Sequence, residues 1–180
     1  TPPLVLILAP RHLERLEEVE GILRRESVAW SRKTTLTQRG SRSDQTYPEV
    51  ILLDTMGELM SLYALGTLVF VGGSLVPIGG HNPLEPLFFG KCVLFGPHMF
   101  NFLEISTGLI ENEGAIQVSG REDLYAQLKR FLFDEAARKA VGQKGHQFLQ
   151  KHQGATERMF EEIRPYLSQL PKDDCGMRNL

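Results

Sequence analysis

Apolar residues are distributed along the chain in two alternating patterns. Short runs at 4–8, 50–53, 67–71 and 92–95 have strand length, and 28–31 and 115–118 read as two further strands. Between them apolar positions recur at helical spacing. Leu13, Leu16, Val19, Ile22 and Leu23 form one stripe, with Glu14, Arg15, Glu17, Glu18 and Glu20 on the opposite face. Further helices are predicted over 57–64, opened by Thr55 and Glu58 as a capping box, and over 84–89 and 100–110. From Arg121 the pattern is only helical: first Leu124, Leu128, Phe131 and Leu132, then Val141, Phe148 and Leu149. Met159, Phe160, Ile163 and Leu167 continue it, and Pro165 is set to kink this last helix. Residues 32–49 are polar and basic without a period and are expected to be a mobile loop; 171–180 are expected to be a disordered tail.

Unbroken apolar strands alternating with amphipathic helices predict an α/β domain over residues 1–170. The expected form is a doubly wound, Rossmann-like parallel sheet of about six strands, covered on both faces. If the strand order is 3-2-1-4-5-6, a crevice opens at the carboxyl ends of strands one and four. On that assumption the turn holding Pro10, Arg11 and His12 lies beside the turn at 72–82, and the turn at 54–58 comes from the same edge.

Composition narrows the function without naming it. The 180 residues carry a net charge of −2, which gives no bulk attraction for nucleic acid or membrane. Cys92 and Cys175 have neither metal-ligand spacing nor the density of a secreted scaffold, so a reducing cytosolic setting is expected. No apolar run is long enough to span a bilayer, and no signal peptide is visible. Thr1, Pro2 and Pro3 lead straight into a strand, which suggests a piece of something longer.

The chemistry concentrates in GGSLVPIGGHNPLEP, residues 72–86. Asn82 suits an N-cap, Pro83 the first helical position, and Glu85 the acidic position of a capping box. Gly72, Gly73, Gly79 and Gly80 permit close backbone approach, and a helix N-terminus favours an anion, although a tight strand-to-helix turn explains the same pattern. Arg11 is placed to grip a phosphate or carboxylate, or to pair with Glu14 or Glu58. His12 is a second donor or a solvated residue. Met56 and Gly57 offer a soft side chain and open backbone to a base, or simply start a helix that Glu58 caps. Glu85 either caps its helix or accepts from ribose hydroxyls. His81 is a general acid or, more ordinarily, a hydrogen-bonded spacer. Ser74 does not sit in G-x-S-x-G, the loop does not match a P-loop, and the histidines share no metal spacing. Gly96, Pro97, His98, Asn101 and Phe102 form a second polar rim.

Five ordered blocks, APRH, DTMGEL, FVGGSL, GGHNPLEP and FGPHMFNF, resemble the C-terminal domain of 3-deoxy-D-manno-octulosonic acid (Kdo) transferase. The likeness runs over residues 4–166, with Cys92 standing where the family commonly has proline. It implies a two-domain GT-B glycosyltransferase whose C-terminal half holds CMP-Kdo. The N-terminal half, absent from this chain, would hold the lipid A precursor, the general base and a membrane anchor at the cytoplasmic face of the bacterial inner membrane. By position, Pro10, Arg11, Met56, Gly57, Glu58, Asn82, Pro83, Leu84 and Glu85 are implied to line the CMP site, with His12, Ser74, Gly79, Gly80 and His81 as further candidates. The base would rest by the Met56 turn, the ribose near Glu85, and the phosphate between Arg11 and Asn82. The implied reaction is inverting and needs neither metal nor cofactor, with no catalytic residue in this part and no activity from it alone. The alternatives are a UDP-sugar transferase or epimerase of the same architecture, or a non-catalytic nucleotide-binding module.

Overall fold

The computed structural model describes residues 4–39, 48–152 and 163–164. It divides into two compact units, Thr1–Leu65 and Gly66–Leu180. In the first, β1 (Leu6–Leu8) leads through a 3₁₀ turn into α1 (Leu16–Arg25), then β2 (Trp30–Arg32), α2 (Lys33–Arg39), β3 (Val50–Leu52) and α3 (Leu59–Leu65). All strands are parallel, in the order β1-β3-β2, with Leu8 and Arg32 both in register with Leu52.

This order corrects the assumed 3-2-1. The reason is visible in the side chains. A central strand is covered on both sides and needs an unbroken apolar run, which Val50, Ile51, Leu52 and Leu53 supply; Val50, Leu52 and Leu53 are buried. Trp30, Ser31 and Arg32 are only half-buried, and Leu4, Val5 and Leu6 are exposed.

The expected loop over 32–49 also changes. Arg32 ends β2, and residues 33–39 form α2. Its three threonines are poor helix formers, so the local pattern hides it. Residues 40–47 lie outside the described residues, as do the stretch of the last predicted helix other than the helical Ile163 and Arg164, the proline at 165, the cysteine at 175 and the tail.

The second unit contains β4 (Leu68–Phe70), α4 (Leu84–Phe88), β5 (Cys92–Phe95), a 3₁₀ turn at Phe100–Phe102, α5 (Leu103–Glu111), β6 (Ile116–Gln117), α6 (Arg121–Phe133) and α7 (Glu135–His152). Its strands are parallel in the order β4-β5-β6, as expected. The β5 strand is the core. Side chains alternate across a strand, so Val93 and Phe95 join Leu87, Leu109 and Phe148 on one face. Cys92 and Leu94 join Val118, Phe131, Leu124 and Leu128 on the other. Each such aliphatic or aromatic side chain contributes about 1.5–3 kcal/mol on burial. Burial also pushes the Cys92 thiol up to about 12, so it behaves as a small apolar group.

The six parallel strands bear out the α/β class and form two three-stranded sheets.

Candidate functional site

In the first unit the pairing of β1 with β3 places two turns side by side. Leu53 N–H donates to the Leu8 carbonyl at 2.9 Å, so the chain leaves both strands at the same edge. After β1 come half-buried Pro10 and exposed Arg11 and His12. The His12 ring lies 3.1 Å from the Glu14 carboxylate. After β3 come Asp54, Thr55, Met56, Gly57 and Glu58.

That second turn is held at both ends by the start of α2. Thr34 donates to Asp54 from its backbone N–H at 3.1 Å and from its hydroxyl at 2.5 Å. Lys33 Nζ donates to Glu58 Oε1 at 2.6 Å, and the Thr55 hydroxyl donates to Glu58 Oε2. Lys33 and Thr55 hold the Glu58 carboxyl below its ordinary value. Burial acts to raise Asp54, but the bonds from Thr34, with help from Arg32, hold it low. Between these fixed ends Met56 is 72% exposed, and Gly57 has φ +82° with open space where a Cβ would stand.

The predicted capping box at Thr55 needs correction. The helix begins at Leu59 rather than Gly57, and the carbonyl of Glu58 accepts from Leu62 N–H at 3.2 Å. The Glu58 side chain is drawn to Lys33, a tertiary partner that local spacing does not reveal.

In the second unit the glycines serve a close approach, but to the chain itself. Gly79 and Gly80 have φ of +104° and +72°. A Cβ on Gly80 would strike the Met99 sulfur, and one on Gly79 would strike Asn101 and the Phe100 ring. The second rim foreseen from sequence, around His98 and Asn101, is therefore what these glycines pack against. Asn101 N–H donates to the Gly79 carbonyl at 3.3 Å. Ser74 is fully buried; its hydroxyl donates to the Val71 carbonyl at 2.6 Å and accepts from Gly96 N–H at 2.8 Å. It belongs to the scaffold. The His81 ring lies over Gly72 and Gly73, 3.7 and 3.5 Å from their would-be Cβ positions.

The helix starts one residue later than the capping pattern predicts, at Leu84 with Pro83 in the N-cap position, and no capping box forms, although Asn82 still reaches the helix start. Asn82 Oδ1 accepts from Leu84 N–H at 3.0 Å, and buried Pro83 has helical φ and ψ of −84° and −11°. Asn82 Nδ2 donates to Glu85 Oε1 at 3.3 Å, so Glu85 braces the capping side chain. Two concavities among the described residues of this unit lie elsewhere, one beside Phe88, Lys139 and His146, the other beside Ile110, Arg130 and Lys144.

Lys33 and Thr34 escaped the sequence reading, and Asp54 entered it only as the first residue of the turn at 54–58, with no partner assigned. Asp54 directly after an apolar strand was the available signal; Lys33 and Thr34 looked like loop. Among the described residues no group of three or more His, Cys, Asp or Glu could hold a metal ion, and no helix is long and apolar enough to cross a membrane.

No family model matches the chain. It is 40% identical over 167 residues to a 3-deoxy-D-manno-octulosonic acid transferase of Haemophilus influenzae, covering 92% of this chain and 38% of that protein. A transferase of the same description from Chlamydophila psittaci is 32% identical over 91% of this chain and 36% of its own length. The chain thus spans well under half the length of these relatives. A crystal structure of the C-terminal CMP-Kdo binding domain of WaaA from Acinetobacter baumannii superposes with a TM-score of 0.73 at 33% identity, covering 81% of this chain and 74% of that one. With its parallel α/β architecture and that coverage, the chain belongs to the Kdo transferase family and corresponds to the C-terminal domain.

Proposed function

We propose that residues 1–170 are the donor-binding part of a Kdo transferase that holds CMP-Kdo while Kdo passes to a lipid A precursor. The observation that carries this reading is the likeness to the solved CMP-Kdo binding domain of Acinetobacter baumannii. The reaction is inverting and independent of metal. An acceptor hydroxyl forms a bond to the anomeric carbon as the bond from that carbon to the CMP phosphate oxygen breaks. The hydroxyl proton passes to a base outside this chain, which is accordingly inactive alone. The whole protein works at the cytoplasmic face of the bacterial inner membrane, where the N-terminal part meets the lipid acceptor.

This chain's share is to bind CMP and to stabilise charge on the departing phosphate. Arg11 carries most of that electrostatic work. At α4, Pro83 has no N–H and Leu84's N–H is already taken by Asn82, so the helix start offers fewer donors than a generic N-terminus. The exposed Met56 and Gly57 backbone suit the face and edge of the base.

Calorimetry with CMP and with UDP tests the reading. CMP is expected to bind more tightly, and a preference for UDP would favour a UDP-sugar transferase or epimerase instead. Arg11→Ala is expected to weaken CMP binding by roughly 1.5–3 kcal/mol, the worth of a charged hydrogen bond. Unchanged affinity in that variant would remove Arg11 from the site.

A further inference from the structure

Met56 is a large apolar side chain, 72% exposed on a solvent-facing turn. The turn itself is not loose. Its first residue, Asp54, takes two bonds from Thr34, and its last, Glu58, takes the ammonium of Lys33. Both tethers come from adjacent residues at the junction of β2 and α2. The strand order makes this possible, because β2 lies next to β3 and their ends emerge together. Inside the brackets, Gly57 adopts a backbone conformation that side chains resist, with nothing filling the space beside it. The ends are fixed and the middle is open.

We propose that Lys33 and Thr34 are positioning residues for base recognition, a two-point clamp that holds the Met56 and Gly57 backbone where a pyrimidine's hydrogen-bonding edge can be read. This rests on the donor-binding reading above. Neither residue touches the ligand in this proposal. They act by fixing a turn whose backbone donor and acceptor would otherwise have to be ordered on binding, at a cost in affinity. Because the base is read by geometry, loosening the turn should reduce discrimination between bases as well as affinity.

The test uses the full 180-residue chain and three variants, Lys33→Met, Lys33→Arg and Thr34→Val, each with its melting temperature recorded. Binding of CMP, UMP and ribose 5-phosphate is measured by calorimetry, the last by competition. Lys33→Met is expected to bind CMP roughly tenfold more weakly, the scale of one lost charged tether. It should also lose most of the preference for CMP over UMP while holding ribose 5-phosphate within about twofold, since that probe lacks a base. Lys33→Arg should recover most of the affinity, and Thr34→Val should move in the same direction as Lys33→Met. If Lys33→Met melts out, the Thr34→Val selectivity decides. Wild-type CMP affinity and selectivity in the variants would overturn the clamp alone. Equal losses for CMP and ribose 5-phosphate would also overturn it, by making Lys33 a phosphate contact. Failure of the wild-type chain to bind CMP would overturn the donor reading and the clamp with it.

Discussion

Ser74 shows how a residue's chemistry depends on what encloses it. From sequence it is a hydroxyl behind two glycines at the end of a strand, a natural candidate for touching an anion. In the fold it is fully buried, donating to Val71 and accepting from the Gly96 N–H, while its own carbonyl accepts from His98 N–H at 2.9 Å. The consequence is a bolt between the loops that follow β4 and β5. Ser74→Ala would leave the Gly96 N–H buried without its acceptor, at a cost of about 1–3 kcal/mol. Urea unfolding of the variant should show that loss in the midpoint with an unchanged slope. A loss below about 0.5 kcal/mol, the range of ordinary surface changes, would mean another group takes over the bond. Asn82 illustrates the opposite outcome. Its bond from Leu84 N–H and Pro83's helical dihedrals follow from residue types at fixed offsets and were legible in the sequence, while the exact start of the helix at Leu84 and Glu85's bond to the Asn82 side chain were not.

Elements were legible to the extent that their reasons are local. The β5 strand and the stripe of α6 follow from apolar periodicity and appear where it places them, whereas α1 departs from it: Ile22 of the predicted stripe is exposed, and Glu20 of the predicted polar face is buried, drawn in by Arg24 and by Arg32 on β2. The strand order of the first sheet and the existence of α2 depend on partners far along the chain, Leu52 for one and Asp54 and Glu58 for the other. No window of sequence contains both sides of those contacts. The long helix α7 presents a similar case at higher cost. Gly142 and Gly145 weaken a helix by about 1 kcal/mol each relative to alanine, so propensity alone recommends replacing them. Yet a Cβ on Gly142 would strike the Gly90 carbonyl, and one on Gly145 would strike that of Gly114. Both obstacles are backbone and cannot rotate away. Gly142→Ala is therefore expected to destabilise the protein by about 1–3 kcal/mol of overpacking strain, against the direction that helix propensity predicts. Thermal melting checks the sign: a raised melting temperature would show that α7 can shift away from Gly90 without loss.

At the scale of the molecule, the alternation of strands and helices announced a parallel α/β protein, and the five ordered blocks pointed to the family that the comparisons support. What those signals left unread is the charge network that ties elements together within each unit, and it has a common sign. Among the described residues, every carboxylate with a resolved shift is held below its ordinary value. Glu58 is held by Lys33, Glu113 by Lys144, Glu135 by Lys139, Glu18 by Arg15, Asp123 chiefly by Ser119, and Asp54 by Thr34 against its own burial. A carboxyl that binds its proton less tightly when folded adds stability above its unfolded value. That stability is lost as pH falls through the folded one. The melting temperature should accordingly stay level down to about pH 5.5 and drop below about pH 4.5, where unfolded Asp and Glu begin to take up protons. Glu18, Glu113 and Glu135 are exposed, and such pairs contribute little and are screened by salt. The part of the drop that survives high salt should come chiefly from Asp54, whose bonds to Thr34 are part-buried and made by a neutral partner, whereas the bonds from neutral Ser119 to Asp123 are exposed. Asp54→Asn is then expected to lower the melting temperature at pH 7 and to flatten the acid limb in about 1 M salt, where the Debye length is short. Parallel acid limbs for the variant and the wild type under those conditions would show that Asp54 does not carry it.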